Sequence, residues 1–151
     1  MLTIACTGHR HSIISPDLQR DLITSYLARH DPDLAITGMA LGFDQLVART
    51  CDACGVPFLA ALPCINQDAL WSPTQRGHYK WLLSRAKEVI LVANEPYRPA
   101  LMQLRNEWMV NRADRILALF SGKPSGTANT LRYAQAQRKP IDNIWPTNAQ
   151  G

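Results

Sequence analysis

Short apolar runs alternate along the chain with longer stretches whose apolar residues recur every three or four positions. The first kind reads as strand and the second as amphipathic helix. Strands are expected near residues 2–6, 34–37, 58–62, 88–92, 115–120 and 141–144. Helices are expected from Ser15 to about His30, from about 42 to 53, from Gln75 to Arg85, from about 100 to 112 and from about 127 to 138. In the first helix, Ser15 suits the N-cap and Pro16 the first helical position, while Leu18, Leu22, Ile23, Tyr26 and Leu27 form the apolar stripe. Gly55 and Pro57 punctuate the entry to the third strand, and Pro63 and Pro73 break the segment 63–87. Strict alternation of strand and helix predicts an α/β fold, a single Rossmann-like domain whose mostly parallel sheet carries helices on both faces. The domain is expected over 1–146, with a loose tail over 147–151.

Three of these strands end in small, polar, glycine-bearing turns: Thr7-Gly8-His9-Arg10, Gly38-Met39-Ala40-Leu41-Gly42-Phe43-Asp44, and Ser121-Gly122-Lys123-Pro124-Ser125-Gly126-Thr127. In an open parallel sheet the strand C-termini share one edge, and ligands settle there at the reversal of strand order. A helix starting from such a turn offers free N–H groups and its positive dipole end to an anion. None of the turns is the G-x-G-x-x-G fingerprint or the P-loop. It is their coincidence on one edge that points to a phosphate or sugar site.

Composition narrows the classes. The chain has 151 residues, 46% hydrophobic and 19% charged, which is an ordinary globular balance. No apolar run spans a membrane and no signal core follows the start, so no membrane partner and a cytoplasmic location are expected. The net charge of +4 is scattered, which suits a solvated surface more than a nucleic-acid stripe. Of Cys6, Cys51, Cys54 and Cys64, the C-x-x-C pair falls late in a helix without a second pair of ligands. Reduced, mostly buried thiols are expected, and no metal.

Individual side chains keep two readings. Arg105, followed by Asn106, reads first as a surface arginine paired with Glu107 or an aspartate, and second as a clamp for a phosphate or carboxylate. Asp44 fits the helix dipole, and equally a ribose-hydroxyl acceptor or general base. Gln67, Trp71, Gln75 and Tyr79 recur every four residues. Trp71 reads as packing over the sheet, while Gln75 and Tyr79 remain open to reading a base. Trp81 and Trp108 read as core. No nucleophile stands out, because Ser121, Ser125 and Thr127 lack a G-x-S-x-G setting.

Taken in order, Thr7 to Arg10, Gly38 to Asp44, Arg105-Asn106 and Ser125-Gly126-Thr127 resemble the SLOG superfamily, a group of Rossmann-like domains that includes DprA and the LOG enzymes. The likeness covers nearly the whole chain and is greatest to the YpsA-like branch, which the Gln67, Trp71, Gln75, Tyr79 pattern also resembles. It implies a small nucleotide-derived ligand, such as a nucleoside phosphate or an NAD- or ADP-ribose-like molecule, and no other cofactor. The implied ligand set is Thr7, Gly8, His9, Arg10, Gly38, Met39, Ala40, Gly42, Asp44, Gln75, Arg105, Asn106, Ser125, Gly126 and Thr127. Binding or sensing is the first expectation. The second is LOG-type cleavage of a nucleoside monophosphate. For that reaction Arg105 matches the LOG arginine, but Asn129 and Thr130 stand where LOG glutamates do, leaving Asp44 or Glu107 as substitutes. DprA-like binding of single-stranded DNA ranks third. A homo-oligomer is expected by analogy with related domains and from aromatic surface around Trp71 and Trp108.

Overall fold

The structure, a computed structural model, describes residues 1–147, so residues 148–151 of the expected tail lie outside the described residues. Six strands, β1 (Thr3–Gly8), β2 (Leu34–Thr37), β3 (Phe58–Leu62), β4 (Glu88–Leu91), β5 (Arg115–Leu119) and β6 (Ile141–Asn143), form one sheet. Its order is β4-β3-β2-β1-β5-β6, and every pairing is parallel. Five helices, α1 (Pro16–His30), α2 (Phe43–Cys54), α3 (Pro73–Arg85), α4 (Pro99–Arg112) and α5 (Gly126–Ala136), make the crossovers.

Side-chain alternation along each strand builds two cores. Ile4, Cys6, Ala35, Phe58, Ala60, Leu117 and Leu119 meet α1, α2 and α3 through Ile23, Tyr26, Phe43, Val47, Cys51, Tyr79 and Leu82. Ala5, Ile36, Leu59, Ala61, Ile116 and Ala118 face the other way, onto Met109 and Val110 of α4 and Leu131 and Ala134 of α5. Strands buried on both faces explain the unbroken apolar runs in the sequence. At the β6 edge, Asp142 receives both Nε and Nη2 of Arg115, at 2.9 and 2.7 Å, and the Tyr26 hydroxyl at 2.7 Å. This ties β6 to β5 and to α1, and the Arg115 guanidinium holds the Asp142 carboxyl below its usual range.

Several expectations shift at the ends of elements. β1 continues through Thr7 and Gly8, which pair with Ala118 and Leu119. Pro73 opens α3 instead of interrupting it: Ser72 is the N-cap and Gln75 completes a capping box. Gln67 and Trp71 therefore lie in the turns before the helix. On α1, Ser15 caps as expected, but Leu18 is exposed and Gln19 is buried instead, donating through Nε2 to the Ile14 carbonyl at 2.8 Å. Trp81 is 49% exposed, a correction to its reading as core, because it sits on the outer side of α3. Trp108 is half-buried, with the Arg112 guanidinium 3.8 Å over its ring. Cys6, Cys51 and Cys64 are buried free thiols, Cys54 is an exposed one, and burial pushes Cys51 up to about 12.

Two glycines with positive φ allow a direct comparison. Gly55 caps α2 in the left-handed region, and an added Cβ there meets open space. At Gly42, φ is +89° and an added Cβ collides with the Arg10 backbone. Gly55→Ala is expected to cost about 1 kcal/mol from backbone strain alone. Gly42→Ala adds a steric collision and is expected to exceed about 2 kcal/mol. Urea unfolding of both variants checks the ranking; equal losses would contradict it.

Candidate functional site

The reversal of strand order lies between β1 and β5, and a cavity of about 320 Å³ opens at their C-terminal ends. Cys6, Thr7, Gly8, His9 and Arg10 reach it from the end of β1 and the residues just after it, Ala40 and Asp44 from the turn into α2 and its first turn, Met102, Arg105 and Asn106 from α4, and Ser125, Gly126 and Thr127 from the start of α5. Most of the residues singled out in the sequence thus converge on one place, although they lie more than a hundred positions apart.

Arg105 is the centre of this arrangement, and it is not the surface residue its first reading made it. It is 2% exposed. Its Nη1 donates to the carbonyls of Gly38 at 2.6 Å and Ala61 at 3.2 Å, and its Nε donates to Asn106 Oδ1 at 2.8 Å. Nη2 has no protein acceptor among the described residues, while the residue lines the cavity. Burial lowers its pKa, against the attraction of Asp44.

Among the described residues, Asp44 is the one carboxylate in the cavity wall. Its Oδ2 accepts from the Ala40 N–H at 3.3 Å, its Oδ1 faces the Cys6 thiol at 3.8 Å, and its carbonyl accepts the Thr37 hydroxyl at 2.9 Å. Burial raises its pKa, opposed by Arg105, the Ala40 N–H and Arg10. The carboxylate therefore already closes the turn in which an anion was expected. Met39, at φ +62°, is fully buried, with its N–H on Thr37 Oγ1 and its carbonyl accepting from Gln45 Nε2. It supports the turn from behind.

The glycines also need a new explanation. A Cβ on Gly38 would sit 2.5 Å from the Arg105 guanidinium carbon, one on Gly8 would enter the Phe43 ring, and one on Gly42 would strike the Arg10 backbone. These three positions are glycine because the protein itself fills the space, not because a ligand does. At Gly126 a Cβ meets nothing within 4 Å, so that side of the cavity is open. There the Ser125 hydroxyl caps the Ala128 N–H at 3.2 Å, and the N–H groups of Gly126 and Thr127 belong to the unpaired first turn of α5.

A family model described as the YspA SLOG family matches residues 7–147. The chain belongs to the YspA SLOG family. It is 35% identical over 116 residues to the SPbeta prophage-derived protein YoqJ of Bacillus subtilis, covering 66% of this chain and 68% of that one. It spans less than half the length of the UPF0398 proteins it also matches. Among solved structures it is similar to DNA processing protein A from Helicobacter pylori, with TM-score 0.69 and 19% identity over 93% of this chain and 63% of that one. A molybdenum cofactor binding protein from Rippkaea orientalis gives TM-score 0.63 and 15% identity over 93% of this chain and 74% of that one. At such identities these structures share the fold.

The SLOG-family likeness does not place every expected residue in the cavity. Gln75 is spent on capping α3: its Oε1 accepts the Ser72 N–H at 2.9 Å. Glu107 accepts from Gln103 at 3.1 Å and is absent from the wall. Asn129 bonds Arg132, and Thr130 donates to the Gly126 carbonyl at 3.0 Å. Two lining residues, Cys6 and Met102, were missed. Met102 stands three positions before Arg105 on the same helical face, a spacing that could have revealed it; Cys6 carries no such signal.

His9 contributes a further bond that the sequence did not announce. Its Nε2 accepts from the Ser121 N–H at 3.0 Å and lies 3.1 Å from the Ser121 hydroxyl, tying the end of β1 to the loop after β5. The ring also packs against Phe120 and Trp145. Burial, and then Lys123, lower its pKa. Protonated His9 cannot accept from Ser121, so the folded state favours the neutral ring. The unfolded chain then binds more protons, and stability rises with pH in that window. The contribution is fully present above the ordinary histidine value and is lost as pH falls through the lowered one. From about pH 7.5 to about pH 5.5 the Tm of the protein is expected to drop more than that of His9→Gln; parallel curves would refute this. Arg105→Ala leaves two carbonyls without their donor and a buried carboxyl without its counter-charge. A loss of about 3 kcal/mol in denaturant unfolding is expected, and Arg105→Lys is expected to recover only part of it.

Proposed function

We propose that the protein binds a nucleotide or nucleotide-derived ligand, with its phosphate in the cavity between β1 and β5. The observation that supports this most is the free Nη2 of buried Arg105 on the wall that also carries the first turn of α5. A guanidinium and a helix N-terminus on the same small cavity favour a multiply charged oxyanion. Arg10, exposed at the rim, adds a second cation. Asp44 would accept ribose hydroxyls only through lone pairs that Ala40 leaves free. The shared fold of a single-stranded-DNA-binding DNA processing protein A and of a molybdenum cofactor binding protein is consistent with a ligand site on such a sheet edge.

Binding is favoured over cleavage because glycoside hydrolysis ordinarily uses two carboxyl groups. This wall has one, and the positions that would supply others hold Asn129 and Thr130.

A thermal-shift screen against nucleoside mono-, di- and triphosphates, NAD and ADP-ribose tests the proposal, with each hit recovered and checked by chromatography. At least one compound is expected to raise the Tm by mass action and to return intact. Gly126→Leu, which adds bulk where a Cβ meets open space, is expected to keep the Tm of the free protein and lose the ligand shift. No shift with any compound would overturn the proposal; release of free base would make the protein a hydrolase.

A further inference from the structure

Among the described residues, two further cavities adjoin the central one along the C-terminal edge of the sheet. The central one shares Arg10 and Met102 with a neighbour of about 570 Å³, and His9 and Ser125 with another of about 460 Å³. The shared residues set the three side by side along one edge, in a row that we term the trough. The larger neighbour lies over the ends of β2, β3 and β4, reached by Leu41, Gln67, Trp71 and Tyr97. The other lies over the ends of β5 and β6, reached by Ser121 and Trp145.

The compartments differ in chemistry. The centre holds Arg10, Asp44, Arg105 and the start of α5. The larger neighbour has no charged group except Arg10, which it shares, and its walls include two aromatic rings. Trp71 is half-buried and fixed edge-on to Tyr79 at 5.1 Å, and Tyr97 is 54% exposed. On the far side, Trp145 is half-buried and fixed edge-on to His9 at 5.9 Å, with Lys123 beside it. Each tryptophan is thus anchored by the core and still borders a cavity. In the larger compartment the Gln67 amide donates to the Gly38 carbonyl and to Tyr79, while its Oε1 has no donor. That oxygen is itself buried, so the wall offers a flat ring the faces of Trp71 and Tyr97.

We propose that the trough takes a two-headed ligand, two nucleosides joined through a short phosphate bridge. The bridge occupies the centre, one heterocycle lies against Trp71 and Tyr97, and the other lies against Trp145. The inference rests on the reading of the central cavity as a phosphate site. A mononucleotide would leave one aromatic compartment unused. A long strand would call for cations repeated along its path, whereas here they concentrate at the switch point, with Lys123 alone beyond it. Two half-sheets flanking one anion site suit one nucleoside each.

Calorimetric titration of the protein with AMP, ADP, ADP-ribose, NAD, diadenosine diphosphate and a long single-stranded oligonucleotide tests this. NAD or diadenosine diphosphate is expected to bind at least about tenfold more tightly than AMP, ADP or ADP-ribose, the gain from seating a second ring. Trp71→Ala and Trp145→Ala are each expected to remove most of that advantage, while Trp71→Phe and Trp145→Phe keep it; the Tm of each free variant shows that it is folded. Equal affinity for one-headed and two-headed compounds would overturn the inference and leave the phosphate site standing. So would tryptophan variants that change nothing. Affinity that grows with strand length and falls steeply with salt would replace the dinucleotide with a strand. Failure of every compound would remove the phosphate site and this inference together.

Discussion

A single buried guanidinium organises the C-terminal edge of the sheet. Arg105 comes from α4, yet its donors hold the carbonyls of Gly38, just beyond β2, and Ala61, within β3. Those carbonyls sit where parallel strands end and the sheet's own ladder offers fewer partners. Burying a cation this deeply is costly unless its charge and its donors are met. Asp44, buried beside it, supplies the opposite charge, and the two carbonyls with Asn106 occupy Nη1 and Nε. The arrangement also dictates residues that make no bond. Gly38 must lack a side chain because the guanidinium lies where its Cβ would be. Lysine could not hold the same acceptors, since its ammonium lacks the planar fork.

This constraint explains why the fold was legible in the sequence and the site only partly so. Strand runs buried on both faces and a helix opened by the Ser15 cap are local patterns, read within a few residues of one another, whereas the Ser72 cap that lets Pro73 open α3 emerges only in the structure. The convergence of three strand ends follows from parallel topology alone. The reasons for the glycines are not local. Gly38 answers to Arg105, Gly8 to Phe43 and Gly42 to Arg10, contacts that only the folded chain creates. A strand-to-helix turn that admits a ligand and one that admits another part of the protein look alike in sequence. Arg105 was misread for the same reason. A charged residue three or four positions from other polar groups on a helix resembles a solvated face until the strand ends beneath it are known. Leu18 and Trp81 show the converse, apolar residues at helical spacing that end on the outer side because the helix turns a neighbouring stripe inward.

Charge placement separates the two sides of the central cavity. On the α2 side, the Ala40 N–H is taken by Asp44, so the turn first suspected of holding a phosphate already holds a carboxylate. On the α5 side, the N–H groups of Gly126 and Thr127 lie in the first turn of a helix whose Ser125 cap takes the N–H groups of Ala128 and Asn129. An anion entering the cavity is therefore repelled from one wall and drawn to the other. On the proposed reading, that asymmetry would turn the phosphate of a nucleotide-type ligand toward α5 and Arg105 and its hydroxyl groups toward Asp44. It also separates the glycines by what surrounds them. Gly126 borders open space on the α5 side, while the Gly38 to Gly42 turn keeps Arg105 and Asp44 in place.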